Sequence, residues 1–197
     1  MTSLRAACVF CGSQSGAKPA FLQAARELAV QLARRGVAVV YGGGHVGMMG
    51  ALADSALAAG GKVVGVIPEH LMRPEVAHQG LTELLIVDSM HTRKRIMASR
   101  ADAFVVLPGG YGTFEEMFEM VTWRQLRLHE KPVGLVNIDG YFDHLLAFLQ
   151  HAEQQEFIRP EHRHLLNVET SVVALLDRLT QQAGAAPGPA PGDLDRS

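Results

Sequence analysis

The stretch Ala103-Phe-Val-Val-Leu107-Pro-Gly-Gly-Tyr-Gly112-Thr-Phe-Glu-Glu116 decides the fold of this chain. Ala103 to Leu107 is apolar without interruption, so both faces of that strand must be covered. Pro108 and two glycines end it, and a helical pattern runs from about Thr113 to Leu128, stopped by Lys131-Pro132. The same alternation recurs on either side. Strands are expected at Ala6–Cys11, Val37–Tyr41, Lys62–Ile67, Leu84–Val87, Val133–Asn137 and Leu165–Val168. Helices are expected at Pro19–Arg35, Met48–Ala59, Met90–Ser99, Tyr141–Gln154 and Ser171–Gln182. In the first of these, Phe21, Leu22, Ala25, Leu28, Ala29 and Leu32 follow helical spacing. Apolar strands alternating with helices define the fold class as α/β: a doubly wound, Rossmann-like parallel sheet with helices on both faces, in a single domain. Such sheets bind ligands at the carboxyl ends of their strands, which directs attention to the strand-to-helix turns.

Composition narrows the partners. The 197 residues are 48% apolar and 19% charged, as a packed core requires, which excludes global disorder. Eighteen basic against twenty acidic side chains leave a net charge of −2, without the basic excess that nucleic-acid binding demands. No apolar run approaches the roughly 18 to 20 residues of a membrane span, and the apolar stretch at the start is too short for a signal peptide. With two cysteines, a disulfide scaffold is excluded and a reducing cytoplasm is expected. Residues 184–197, GAAPGPAPGDLDRS, read as a disordered Pro/Gly/Ala-rich tail, leaving residues 1–183 as the folded domain.

Four turns are candidates for chemistry. Cys11-Gly-Ser13-Gln-Ser-Gly16 offers hydroxyls and N–H groups to an anion, or is an ordinary polar turn. Gly42-Gly43-Gly44-His-Val-Gly47 fits G-x-G-x-x-G after a strand and before a helix, so Gly43 and Gly44 are expected near a phosphate. A dinucleotide reading is weakened because the next strand ends Val66-Ile67-Pro68 before any acidic residue, Glu69. Pro108 to Gly112 places three glycines at the opening of a helix and suits an anion at its N-terminus. The following Thr113-x-x-Glu116 reads equally as a capping box, Thr113 as N-cap, or as a functional carboxylate. A carboxylate beside an anion site makes most sense if it also faces a cation or sugar hydroxyls. Finally, Met90-His-Thr-Arg93-Lys94-Arg95 sets basic residues in a first helical turn, against the dipole, unless an anionic ligand relieves the conflict or the face is simply solvated.

Other features are ordinary. Cys8-x-x-Cys11 lies along a buried strand and reads as core thiols. His162-x-His164 is an isolated surface pair, and Met48-Met49, Met117 and Met120 read as core. No lysine stands in a Schiff-base context, and no metal site or cofactor is expected.

Taken together, Gly42-Gly-Gly-x-x-Gly47-x-Met49-Gly50, Met90-His91-x-Arg93-Lys94 and Pro108-Gly-Gly-x-Gly112-Thr113-x-x-Glu116 resemble the Lonely Guy (LOG) family over about Ala6 to Leu179. Its members are cytokinin riboside 5′-monophosphate phosphoribohydrolases, often labelled lysine decarboxylases. The resemblance implies a homodimer without metal or redox cofactor. It implies a small-molecule nucleotide substrate, AMP or its prenylated form, cleaved to free base and ribose 5-phosphate. It implies a substrate site of Glu75, Arg93, Lys94, the turn Gly109, Gly110, Tyr111, Gly112, Thr113, Phe114, Glu115 and Glu116, and Thr122. Arg93 and Glu116 match the pair regarded as catalytic. Ser13, Gly43 and Gly44 join the site from the other two turns. The alternatives are an AMP nucleosidase without a cytokinin role, a non-catalytic nucleotide carrier on the same fold, and a dinucleotide-dependent oxidoreductase.

Overall fold

The structure is a computed structural model of the chain, and it describes residues 4–72 and 77–185. Among these residues the strands are β1 (Ala6–Phe10), β2 (Ala38–Tyr41), β3 (Val63–Pro68), β4 (Glu83–Val87), β5 (Ala103–Val106), β6 (Val133–Val136) and β7 (Leu166–Glu169). The helices are α1 (Pro19–Arg34), α2 (Gly47–Ala58), α3 (Met90–Arg100), α4 (Tyr111–Gln125), α5 (Asp143–Gln154) and α6 (Val172–Ala185). The strands form one parallel sheet in the order β4-β3-β2-β1-β5-β6-β7.

Each face of the sheet carries its own core, because successive strand residues point to opposite sides. Ala103 and Val105 of β5 join a cluster with Leu28 and Leu32 of α1, Leu52 of α2 and Leu175 and Leu179 of α6. Phe104 and Val106 join the other, with Met97 of α3, Met117 and Met120 of α4 and Phe142. On α1 the buried set Phe21, Ala24, Ala25, Leu28, Ala29 and Leu32 keeps the expected helical stripe. Cys8 and Cys11 fall on opposite faces and remain free thiols, and burial raises the pKa of both. They are core residues, as expected.

The boundaries that move do so for backbone reasons. α4 begins at Tyr111, two residues earlier than Thr113, and ends at Gln125, because Arg127 turns left-handed at φ 60°. α5 begins at Asp143, since Asp139 at φ 50° and Gly140 at φ 70° break the helical path before it. α6 continues through Gly184 to Ala185, and the remainder of the proposed tail lies outside the described residues. No helix among the described residues is long and apolar enough to cross a membrane.

Candidate active site

From β1 the chain steps outward through β2, β3 and β4 on one side and through β5, β6 and β7 on the other. The crevice at this reversal lies over the carboxyl ends of β1 and β5, where open α/β sheets bind ligands. Two of the candidate turns meet there. The N–H of Gly12 donates to the Pro108 carbonyl at 3.0 Å. A Cβ at Gly109 would meet the Gly12 nitrogen at 2.8 Å and Thr113 Oγ1 at 2.1 Å, so only glycine fits. Gly110 and Gly112 differ: a Cβ at either would meet nothing within 4 Å. Their missing side chains serve no packing inside the chain and leave the start of α4 open.

Gly110 is the N-cap of α4, and no side chain caps that end. Thr113 is thus the third helical residue and is buried, and the Thr113–Glu116 capping box is not formed. The reason is that the helix starts on the glycine turn itself, which leaves the first-turn N–H groups of Tyr111, Gly112 and Thr113 without helical acceptors. An anion is well matched to them. Tyr111 stands almost fully exposed, and Phe114 turns inward, edge-on to Phe142 with ring centroids 6.4 Å apart.

Glu116, freed from capping, faces a cation. Arg93 Nη1 lies 3.8 Å from Glu116 Oε1, and both side chains are nearly buried. Ser89 sets this up by capping α3, its Oγ accepting from the Thr92 N–H at 3.1 Å, so that Arg93 closes the first turn and Lys94 opens the second. The Arg93 guanidinium is then tied to the sheet. Nε donates to the Val66 carbonyl at 3.0 Å and Nη2 to the Gly42 carbonyl at 3.3 Å. A Cβ at Gly42 would lie 1.9 Å from Nη2, which is why glycine stands there. Gly42→Ala should therefore fold yet push the guanidinium off its seat. If the pair is catalytic, kcat should fall by about 10²-fold, the usual cost of a 1 Å misplacement. Parental kcat in that variant would show that the guanidinium position is not critical.

Burial raises the Glu116 pKa to about 7, against the opposing pull of Arg93, with Glu115 pushing it up, Lys94 down and Glu119 up. A carboxyl that changes protonation near neutrality is suited to acid–base or electrostatic work.

Lys94 has a different setting. Its ammonium is buried and donates to Glu115 and, at 3.0 Å, to Glu119. Burial works against its charge, but these two hydrogen bonds prevail and raise its pKa. The conflict between basic residues and the α3 dipole is therefore met from within the chain, by carboxylates of α4. Glu119 was not singled out in the sequence, although its spacing from Glu115 puts both on one helical face. Its Oε2 is buried without a hydrogen-bond partner among the described residues.

The remaining candidates are spread around this centre. Gly43 and Gly44 are buried, and Gly43 is left-handed at φ 76°. The Gly43 carbonyl accepts from the His78 N–H at 2.9 Å, and Gly44 pairs with Ala77 in an antiparallel bridge. The buried Tyr41 hydroxyl donates to the Gly44 carbonyl at 2.9 Å. Ser13 is exposed, and its carbonyl would meet a Cβ at Gly47 at 2.3 Å. Close internal packing thus accounts for Gly43 and Gly47. Thr122 is exposed on the outer face of α4 with Glu115 and Phe118. Glu75 lies outside the described residues. His162 and His164 sit on a short 3₁₀ turn at the surface, and no group of three or more metal-ligating side chains occurs among the described residues.

Fold and candidate site together describe a Rossmann-like α/β protein with an open helix N-terminus and a nearly buried arginine–glutamate pair. The family model described as "possible lysine decarboxylase" matches residues 49–179. A probable cytokinin riboside 5′-monophosphate phosphoribohydrolase of Oryza sativa subsp. japonica, LOGL9, is 50% identical over 177 residues, covering 90% of this chain and 78% of that protein. The Arabidopsis thaliana enzyme of that name, LOG1, is 45% identical over 172 residues, covering 87% and 81%. This chain belongs to the LOG family. Among solved structures, the molybdenum cofactor carrier protein of Chlamydomonas reinhardtii shares the fold, with TM-score 0.69, 20% identity and coverage of 91% of this chain and 98% of that one.

Proposed function

We propose that this protein hydrolyses the N-glycosidic bond of cytokinin riboside 5′-monophosphates, and of AMP with them, to free base and ribose 5-phosphate. The observation that carries this reading is the approach of Arg93 and Glu116 to 3.8 Å beside the open start of α4. The 5′-phosphate sits on the first-turn N–H groups of α4, where Gly110 and Gly112 leave room for it. This holds the ribose near Glu116. N-glycoside cleavage passes through an oxocarbenium-like state, with positive charge on the ribose and negative charge on the leaving base. Ionised Glu116 stabilises that cation, binds ribose hydroxyls and orients the attacking water, whose oxygen forms the C1′–O bond as the C1′–N bond breaks and whose proton ends on the released base. Arg93 stays charged and stabilises the departing purine as a fixed donor, its other nitrogens being anchored on the sheet. Binding of the remote phosphate is used to hold the ribose for the transition state.

The family description as a lysine decarboxylase gains nothing from Lys94. A Schiff-base lysine needs a depressed pKa, and that of Lys94 is raised.

The decisive assay is base release from AMP, GMP, CMP, isopentenyladenosine monophosphate and the matching nucleosides. AMP should be cleaved far faster than adenosine, and equal kcat/KM for the two would remove the phosphate from the mechanism. Tight AMP binding without base release would make the protein a carrier on the same fold.

A homodimer in the cytoplasm completes the reading. The outer face of α4 supports the dimer: Tyr111, Phe118 and, just past its end, Leu126 form an exposed apolar stripe. Leu126→Glu should convert a dimer in sedimentation velocity to monomer, and an unchanged dimer would move the interface elsewhere. The two unpaired, buried thiols support a reducing compartment.

A further inference from the structure

A residue outside all four turns touches the phosphate turn. The hydroxyl of Tyr141 donates a hydrogen bond to the carbonyl of Gly109. Tyr141 comes from the loop between β6 and α5, and that loop is firmly built. The Tyr141 N–H donates to the Ile138 carbonyl at 2.9 Å, and Asn137 Oδ1 accepts from the Phe142 N–H at 2.9 Å. Lys18 pairs with Asp139 at 3.4 Å, fastening the loop to the start of α1. The Tyr141 ring stands edge-on to Phe21 and Phe142, with centroids 5.6 and 4.8 Å away. The hydroxyl is thus delivered to Gly109 by a ring held from two sides.

The consequence follows from peptide geometry. In a trans peptide the carbonyl and the N–H point in opposite directions. With the Gly109 carbonyl held on Tyr141, the N–H of Gly110 points away from Tyr141. A peptide between two glycines is the easiest of all to rotate, and a Cβ at Gly110 would meet nothing within 4 Å to resist it. Resting on the phosphate site proposed above, we infer that Tyr141 is a positioning residue for the 5′-phosphate. It locks the Gly109–Gly110 peptide so that the Gly110 N–H joins the first-turn N–H groups of α4 on the phosphate.

Tyr141→Phe removes the hydroxyl and keeps the ring. Ribose 5-phosphate and adenosine are titrated into both proteins by calorimetry, and AMP hydrolysis is followed alongside. The variant should raise the Kd for ribose 5-phosphate and the KM for AMP by about 5- to 10-fold, the scale of one hydrogen bond. Adenosine affinity and melting temperature should stay within about twofold and a degree or two of the parent. Unchanged ribose 5-phosphate affinity overturns the inference even if AMP is cleaved normally. Equal loss on ribose 5-phosphate and adenosine with a lower melting temperature also overturns it, as a merely structural role. A parent protein that binds ribose 5-phosphate but cleaves no nucleotide would defeat the proposed reaction, and a selective loss in Tyr141→Phe would still uphold the brace. A parent that binds no ribose 5-phosphate would defeat both.

Discussion

Glu116→Gln is expected to fold, to bind AMP at least as well as the parent protein, and to release adenine at least about 100-fold more slowly. The amide keeps the shape of the side chain and loses the charge that answers the oxocarbenium ion. The pH dependence makes the test specific. Because burial holds the Glu116 pKa at about 7, parental activity should rise as pH passes through 7 and then level off. The variant should lose that limb. Stability should move the other way. Between the ordinary value of 4.5 and about 7, the folded protein keeps a proton that the unfolded chain has lost, so parental stability falls as pH rises across this window. Above it, the buried carboxylate costs on the order of 3 kcal/mol. Glu116→Gln should therefore melt higher than the parent at pH 8 and about equally at pH 4. Near-parental kcat in the folded variant would reduce Glu116 to a buried structural carboxylate.

Arg93→Ala should retain the fold and lose activity by about 10³-fold or more. Two effects combine. The departing base loses its cationic donor, and Glu116 loses the neighbour that holds its pKa down, so less of it is ionised at neutral pH. The acid limb of any residual activity should accordingly move to higher pH. Arg93→Lys should restore the limb only in part and remain a poor enzyme. Arg93 uses Nε, Nη1 and Nη2 toward three different partners, and an ammonium cannot span the Val66 and Gly42 carbonyls and Glu116 together. Parental turnover in Arg93→Ala, measured as base release across pH 5 to 9, would leave Arg93 as a structural tie between α3 and the sheet.

The order of strands and helices was fully legible in the chain. Each β-strand up to β6 reads as a short apolar run and α1 as a stripe of helical spacing, because periodicity is carried by neighbours in sequence. The residue types of the candidate site were legible too: glycines in the strand-to-helix turns, and an arginine and a glutamate on separate helices. What a helix does at its ends was less so. Thr113-x-x-Glu116 has the spacing of a capping box, yet α4 starts at Tyr111 on the glycine turn and makes that spacing incidental.

Only the tertiary structure decided the roles. Arg93 leaves α3 and is seated by carbonyls of β3 and of the turn after β2, groups that every residue possesses and no sequence pattern marks. Lys94, its neighbour, is claimed by Glu115 and Glu119. Tyr141 reaches Gly109 because β6 lies beside β5 in the sheet. The Glu116 pKa is set by how much water the whole fold removes and by charges on two helices, and Coulomb and desolvation energies depend on distance through space and not along the chain. Local pattern therefore sufficed for the elements and for the list of candidates, while the pairing of Arg93 with Glu116 and the poise of that carboxyl near neutrality exist only once β1 to β7 have brought α3 and α4 together.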